Sequence, residues 1–445
     1  MEERNLLRHS SCVVALGLLS LVGVSAAAEA RITSIVVTTK TSPAFGGQSF
    51  GSVGQYEQLD GTALGEIDPK DPLNAAIQDI ELAPRNSRGM VEYSMDISIL
   101  KPINTSLGNH TILYDVVNRG NKSSPSLNIG VTATKPQGDG FLESEGYTLV
   151  WSGWEGDITT GIKINLPVAK NKNGSEITGN VRAEYILGAP AQSVDVTAQP
   201  AYSAVSTSNA GATLTMRVHQ NDPKVAIDNG QWAFADCSAV SFPGTPSTTK
   251  VCLNSGFDTN HIYELVYTAT NPTVTGIGFA ATRDFVSFLR GGNGDHDHGK
   301  KGSTVGPAPT NPLDSSVDYA IIYGSSQSGR WIRTFLELGF NEGSDHDRVF
   351  EGAIPHKASN RGAFNVRFAQ PTRLSGTEHT EKQFPGQESP QSWGDTYDAI
   401  ARMFAGQLDR CRKSDTCPKI TATETDTRIL AGLDGLEYDG CRRQA

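Results

Sequence analysis

Past its first thirty or so residues the sequence has no apolar run approaching the roughly 20 residues needed to cross a bilayer, so no later segment is expected to span a membrane. A basic surplus is missing too. Its 38 Lys and Arg stand against 48 Asp and Glu, a formal net charge of −10, which removes the electrostatic footprint expected of a nucleic-acid binder. Cysteine is sparse, six in 445 residues, and none lies at metal-ligand spacing with a nearby histidine. Histidine is absent from the last sixty or so residues, so that after residue 325 only His346, His356 and His379 occur. What remains is the composition of a globular, loop-rich, non-repetitive chain, with 46 glycines and 19% charged residues, long enough for one large domain with an insertion or for several domains.

The chain starts MEERNLLRHSSCVVALGLLSLVGVSAAAEA. Arg4 and Arg8 precede an apolar core of about a dozen residues, and Ala26-Ala27-Ala28 supplies a small-residue cleavage pattern, so residues 1–28 read as an export signal. A secreted or periplasmic destination permits disulfides. Cys12 lies within the signal, and sequence closeness among the rest suggests Cys237 with Cys252 and Cys411 with Cys417, leaving Cys441 over.

The stretch with most chemical content is Val317 to Asn341, VDYAIIYGSSQSGRWIRTFLELGFN. Val317 to Tyr323 is a β-branched and aromatic run that predicts a buried strand. Small residues turn the chain from Gly324 to Gly329. Trp331, Ile332, Phe335, Leu336 and Leu338 then recur at helical spacing before Gly339. Strand, tight turn and helix are the parts of a nucleophile elbow, in which a strained backbone projects a serine and its neighbours two before and two after must be small. Centred on Ser326 those neighbours are Gly324 and Ser328; centred on Ser328 they would be Ser326 and the bulky Arg330. Ser326 is therefore the candidate nucleophile, and the backbone N–H of Gln327 one candidate oxyanion donor.

In chain order, Arg31–Thr38 and Met90–Leu100 alternate like strands around a glycine-rich region, Gly46–Gly61, which makes residues 29–110 a β-rich block. Thr111–Val117 is apolar enough for a strand covered on both faces and ends in the polar loop Asn118-Arg119-Gly120-Asn121. The strand Tyr147–Trp151 leads to a glycine turn flanked by Trp151 and Trp154, which either line a cleft or pack beneath the loop. Residues of about 158–275 read as a β-rich insertion with short strands at Ala183–Leu187, Thr213–Val218 and Ile262–Thr268. Phe279–Arg290 restores helical periodicity, with Phe279, Thr282, Val286 and Leu289 near one face. Val349–Ile354 predicts a further core strand leading to His356. Asp295-His296-Asp297-His298 lacks the rigid surroundings of a metal site, and no metal or other cofactor is expected.

The segments YGSSQSGRWIRTFLELGFN, VFEGAIPH, FNVRFAQPTR, LYDVVNRGNK, GFAATRDFVSFLR and FGSVGQYEQLDGTALGEIDPKDPLN, which span most of Arg31–Lys419, resemble the bacterial and fungal alpha/beta hydrolase domain-containing proteins. The resemblance implies an α/β fold with a mostly parallel hydrolase sheet over residues 111–420, and Ser326 acting on a small-molecule or polymeric carboxylic ester. In such a fold the loop Asn118, Arg119 and Gly120 after the third strand is the source of the second oxyanion donor, and His356, at a strand's C-terminal end, is a possible active-site histidine, with the triad acid and base unassigned. Within the same resemblance the chain departs from its relatives after Lys419. Arg428-Ile429-Leu430 stands where they tend to have Glu-Tyr-Trp, as a one-base frame shift would produce, so residues 421–445 read as an aberrant tail and the last core strands as missing. Two functional classes stay open: a secreted serine esterase, and a catalytically inactive hydrolase-fold or β-rich binding protein.

Overall fold

Strands form where β-branched and aromatic residues alternate between glycine and proline breaks, and among the described residues the two long helices are Ile277–Leu289 and Gln327–Glu337. The computed structural model describes residues 31–197, 202–291, 309–313, 317–358, 362–373, 390, 392–399 and 402–424. The signal-like start, the Asp295–His298 run, His379, Arg428–Leu430 and Cys441 lie outside the described residues.

Arg31–Thr41 (β1), Gly54–Ile67 (β2) and Val91–Pro102 (β3) form an antiparallel meander. β2 lies largely where sequence pattern shows only a glycine-rich region. The glycines that blur its alternation are steric necessities. A Cβ on Gly61 would lie 2.1 Å from the Val36 carbonyl oxygen, and one on Gly65 would lie 2.3 Å from the Tyr93 ring. Thr111–Asp115 (β4) and Thr148–Ser152 (β5) follow, paired parallel to each other.

The insertion supplies Thr178–Ile186 (β6), Ala191–Asp195 (β7), Thr213–Arg217 (β8), Val225–Ala226 (β9), Trp232–Ala233 (β10), Lys250–Phe257 (β11) and Ile262–Thr270 (β12). They make two sheets, ordered β9-β8-β12-β6 and β10-β11-β7. The two share a core of their own that includes Tyr185, Leu214, Trp232, Phe257, Leu265 and Tyr267. The chain then returns through Ile277–Leu289 (α1), Tyr319–Ser325 (β13), Gln327–Glu337 (α2), Gly352–His356 (β14) and the two-residue strand Lys419–Ile420 (β15).

The main sheet runs β1-β2-β3-β5-β4-β13-β14-β15, with two short strands, Ser49–Phe50 and Ile164–Asn165, paired at its side. It is mixed rather than mostly parallel: antiparallel from β1 to the β3/β5 pair and parallel from β5 to β15. The N-terminal strands are thus hydrogen-bonded into the same sheet as the hydrolase-like strands. β4 sits at the heart of the parallel half, which is why Ile112, Leu113 and Tyr114 are buried in succession without alternation.

α1 is buried on every side, more than its one predicted apolar face. It tolerates this because Arg283 and Asp284 pair at 2.7 Å and Arg283 also donates to Asn74 at 2.9 Å, so neither charge is stranded. Phe279 stacks on Trp331 at 4.7 Å and on Phe340 at 5.4 Å, and Trp154 packs 5.6 Å from Trp331. This aromatic column fixes α1 against α2. Trp151 and Trp154 are packed inside, with their indole N–H groups donating to Asp115 and to the Val117 carbonyl, each at 2.7 Å.

Residues 362–373 cross between the parts. Arg367 grips Asp79 through two bonds of 2.6 Å, and Asn365 donates to the Ala76 carbonyl. Phe368 enters the insertion's core edge-on to Tyr202, and Gln370 donates to the Arg182 carbonyl.

The Cys237–Cys252 and Cys411–Cys417 disulfides are both formed. The first closes a loop of 15 residues at the edge of the insertion. By chain-entropy reasoning such a closure contributes about 3 kcal/mol. The double replacement Cys237→Ser, Cys252→Ser is expected to lower unfolding free energy by about that amount, read by denaturant titration of the oxidised protein. A shift under about 0.5 kcal/mol would show that the staple is redundant with the packing around it.

Candidate active site

At the C-terminal end of β13 the chain reverses into α2 through Ser326, whose φ of 58° and ψ of −114° place a non-glycine residue in a left-handed region. Such a backbone costs on the order of 1–3 kcal/mol and persists only where its surroundings over-determine it. Here four contacts do so. The Ser326 N–H donates to the His356 carbonyl at 2.8 Å, and its own carbonyl accepts from Arg330 N–H at 3.0 Å. The Asn118 side-chain amide donates to the Ser325 carbonyl at 2.8 Å, and Ser328 Oγ donates to the Val117 carbonyl at 3.1 Å. The close passage of strand and helix explains the small residues: a Cβ on Gly324 would meet the Ser328 carbonyl oxygen at 2.7 Å, and one on Gly329 would meet Ala358 Cβ at 2.7 Å. Ser328 is fully buried and its hydroxyl is engaged, whereas Ser326 is half-buried. The Gln327 N–H is one of the first-turn donors of α2 for which no helical carbonyl exists.

The loop after β4 is a tight turn. Asn118 and Asn121 exchange backbone hydrogen bonds of 2.9 and 3.0 Å, while Arg119 and Gly120 occupy its tip with φ of 50° and 77°. The Asn118 N–H is therefore engaged within the turn, and this residue meets the elbow through its side chain instead. The Arg119 N–H points to the Glu155 carboxylate. Among the described residues the Gly120 N–H makes no hydrogen bond. A Cβ on Gly120 would lie 2.8 Å from the Thr160 carbonyl oxygen, so the tip is pressed against the loop that follows β5.

That loop carries two carboxylates that pattern reading did not single out. Glu155 is buried, and its carboxylate accepts from the Gln327 side-chain amide at 3.2 Å. The same amide also donates to the Pro371 carbonyl at 2.7 Å. Burial, and then the neighbouring charge of Asp157, hold the Glu155 carboxyl well above the usual carboxylate range, opposed by the Arg119 guanidinium. Asp157 is pushed up to about 6 by burial, against hydrogen bonds from Thr372. Thr372 N–H donates to its carboxylate at 3.0 Å. The only sequence signal for Glu155 was its place between two glycines after a core strand.

Topology sorts the described histidines. His110 precedes β4 and His346 lies between α2 and β14, so both are at the edge of the sheet where the parallel strands begin. His219 and His261 belong to the insertion and pair with Asp222 and Asp258. His356 ends β14, in register with Ser325 at the edge that carries Ser326. Its Nδ1 meets Thr423 Oγ1, and burial followed by the charge of Lys357 keeps its pKa below the usual histidine value, which favours the neutral ring. Just past β15, Glu424 reaches the same edge and accepts the Ala358 N–H at 3.0 Å. Sequence pattern gave no reason to choose this glutamate, because a two-residue strand has no periodicity to detect.

Between this edge and the insertion lies a cleft of about 620 Å³ whose walls include Arg119, Asp157 and Thr372 on one side and Tyr185, Asp195 and Lys250 on the other. Ser326 is not among its lining residues. Arg119 and Thr372 are each one residue from a group bonded to the elbow, Asn118 to Ser325 and Pro371 to Gln327. The described residues contain no group of three or more His, Cys, Asp or Glu arranged to hold a metal ion.

Compared with known families, residues 177–441 match the alpha/beta hydrolase domain, a range that runs past Lys419. No curated protein matches the chain.

Asp157 titrates in a way that can be read. Its folded pKa of about 6 lies above the ordinary 3.8, so the native state holds the proton more tightly. The associated stability is present below about pH 4 and is lost as pH rises through about 6. Asp157→Asn is expected to match the parent near pH 4 and to exceed it by about 1–3 kcal/mol at pH 7.5, measured by urea denaturation. A difference between the two proteins that does not vary with pH would contradict the assignment.

Proposed function

Because the chain belongs to the alpha/beta hydrolase domain family, we propose that it is a serine-dependent hydrolase of carboxylic esters with Ser326 as its nucleophile. The observation that carries this reading is the left-handed backbone of Ser326 between a parallel strand and the first turn of a helix. In a nucleophile elbow such a conformation turns the hydroxyl towards the open edge of the sheet and aims the next backbone N–H at the same point.

In this reading Ser326 Oγ attacks the ester carbonyl while a histidine takes its proton. The resulting oxyanion accepts from the Gln327 N–H and from the Gly120 N–H at the tip of the 118–121 turn. One such donor is worth about 10²–10³ in rate. Collapse expels the alcohol with the proton returned by histidine, and water then releases the acid by the same steps. His356 is the described histidine at this edge, and its neutral ring suits a general base. Glu424 is the carboxylate proposed to orient it, and His379 is the competing base from sequence. Glu155 acts as a positioning residue, binding the Arg119 N–H and the Gln327 side chain and so setting the distance between the two halves of the oxyanion site.

Residues 1–28 are proposed to direct export. The two disulfides support an oxidising destination.

A fluorophosphonate probe tests the assignment. Labelling of the parent protein is expected to vanish in Ser326→Ala and to persist in Ser328→Ala. His356→Ala is expected to slow labelling by about 10³-fold or more. Labelling that survives Ser326→Ala, or that disappears in Ser328→Ala alone, would overturn the choice of nucleophile. Absence of labelling in the folded parent would favour a hydrolase-fold binding protein.

A further inference from the structure

The cleft between the insertion and the hydrolase sheet has a lining whose chemistry narrows what can occupy it. We infer that it is a subsite for an uncharged, polyhydroxylated group, the saccharide part of a sugar ester, an inference that rests on the ester-hydrolase reading above and adds its substrate class. The cleft lies beyond the carboxyl ends of β4 and β5, where ligands of parallel sheets bind, and its 620 Å³ falls within the range of small-molecule sites.

Three observations select the ligand. First, short hydroxyls and charges, among them Thr159, Thr160 and Asp157, share the wall about equally with aliphatic groups such as Ile158 and Leu187. A long acyl chain laid along this surface would strip water from the polar groups, at about 1–3 kcal/mol for each one left unpaired, whereas a sugar presents hydroxyls to them and C–H faces to the aliphatic groups. Second, the wall holds a buried acceptor that the protein leaves unsatisfied. Asp157 Oδ1 in the wall, with Glu155 Oε1 and Gln327 Oε1 behind it, are buried acceptor oxygens without a hydrogen-bond partner among the described residues. Asp157 uses only its other carboxylate oxygen, towards Thr372. A ligand hydroxyl can donate to Asp157 Oδ1, the one of these three oxygens that belongs to a lining residue. Third, charge is balanced across the space. The Arg119 guanidinium already lowers the carboxyl groups of Glu155 and Asp157, and Lys250 is paired with Asp236 at 3.1 Å. A cationic ligand would compete with Arg119, and an anionic one would face Asp157, Glu184 and Asp195. A neutral polyol meets neither conflict.

The cleft is also wired to the chemistry. Thr372 follows Pro371, whose carbonyl receives the Gln327 amide, and Arg119 follows Asn118, which holds the Ser325 carbonyl. A group bound there lies alongside both halves of the proposed oxyanion site, so its ester linkage can extend from the cleft to Ser326.

The test separates this inference from the hydrolase reading by using binding as well as turnover. The Ser326→Ala protein would be titrated calorimetrically with xylotriose, cellotriose and maltotriose, and the parent assayed on acetylated forms of the same sugars beside 4-nitrophenyl acetate and 4-nitrophenyl octanoate. At least one trisaccharide is expected to bind, and Thr160→Trp, a bulky group at an exposed cleft position, is expected to weaken that binding at least tenfold. The ratio of kcat/KM for the acetylated sugar to that for 4-nitrophenyl acetate is expected to fall at least tenfold in Thr160→Trp, and in Thr159→Trp should the first variant not fold. Ester hydrolysis with no saccharide binding, or a preference for the octanoate that Thr160→Trp leaves in place, would overturn the saccharide subsite while sparing the hydrolase reading. Saccharide binding sensitive to Thr160→Trp in a protein that cleaves no ester would do the reverse.

Discussion

The left-handed backbone at Ser326 is the constraint around which the parallel half of the molecule is arranged. A residue at φ 58° and ψ −114° with a side chain is unfavourable by itself, and it is held by bonds that come from three different elements. β14 supplies the His356 carbonyl, the turn after β4 supplies the Asn118 amide, and α2 supplies the Ser328 hydroxyl that ties back to Val117. The sterics follow from the same point. Gly324 and Gly329 are where they are because the strand and helix that this residue joins leave no room for a Cβ.

A second arrangement depends on the first. Gln327, carried at the start of α2, sends its side chain to Glu155 and to the Pro371 carbonyl, so the position of the helix is transmitted both to the loop after β5 and to the 362–373 segment. That segment is itself bound to Asp79, to Tyr202 and to Asp157. The β-rich insertion is thus held against the sheet in part by the 362–373 segment, whose Pro371 and Thr372 lie beside the proposed site. Its own core and its disulfide give it the stiffness to act as a wall.

Much of this was legible in the residues, and what was not has physical causes. The strand predicted over Val317–Tyr323 is found at Tyr319–Ser325, and the helix after it begins at Gln327, because apolar period and turn chemistry agree there. Cys237 with Cys252 and Cys411 with Cys417 followed from nearness alone. β2 was hidden because Gly61 and Gly65 break its alternation to admit Val36 and Tyr93. The sheet is more antiparallel than expected because the N-terminal strands join it, and strand direction leaves no trace in composition. Trp151 and Trp154, open to either reading, are interior because Asp115 and the Val117 carbonyl take their indole N–H groups. Glu155 and Glu424 are ordinary glutamates in sequence and acquire meaning only from what the fold brings beside them.

The central claim is geometric, that one hydroxyl and the backbone donors of α2 and the 118–121 turn converge on one point. A crystal structure of the protein after reaction with a small alkyl fluorophosphonate examines it directly. The account predicts phosphorus bonded to Ser326 Oγ, the left-handed backbone retained, and the phosphonyl oxygen about 2.7–3.1 Å from the N–H of Gln327 and from one N–H of the turn tip. Phosphorus on another residue, or on Ser326 with its oxygen directed to solvent, would contradict it.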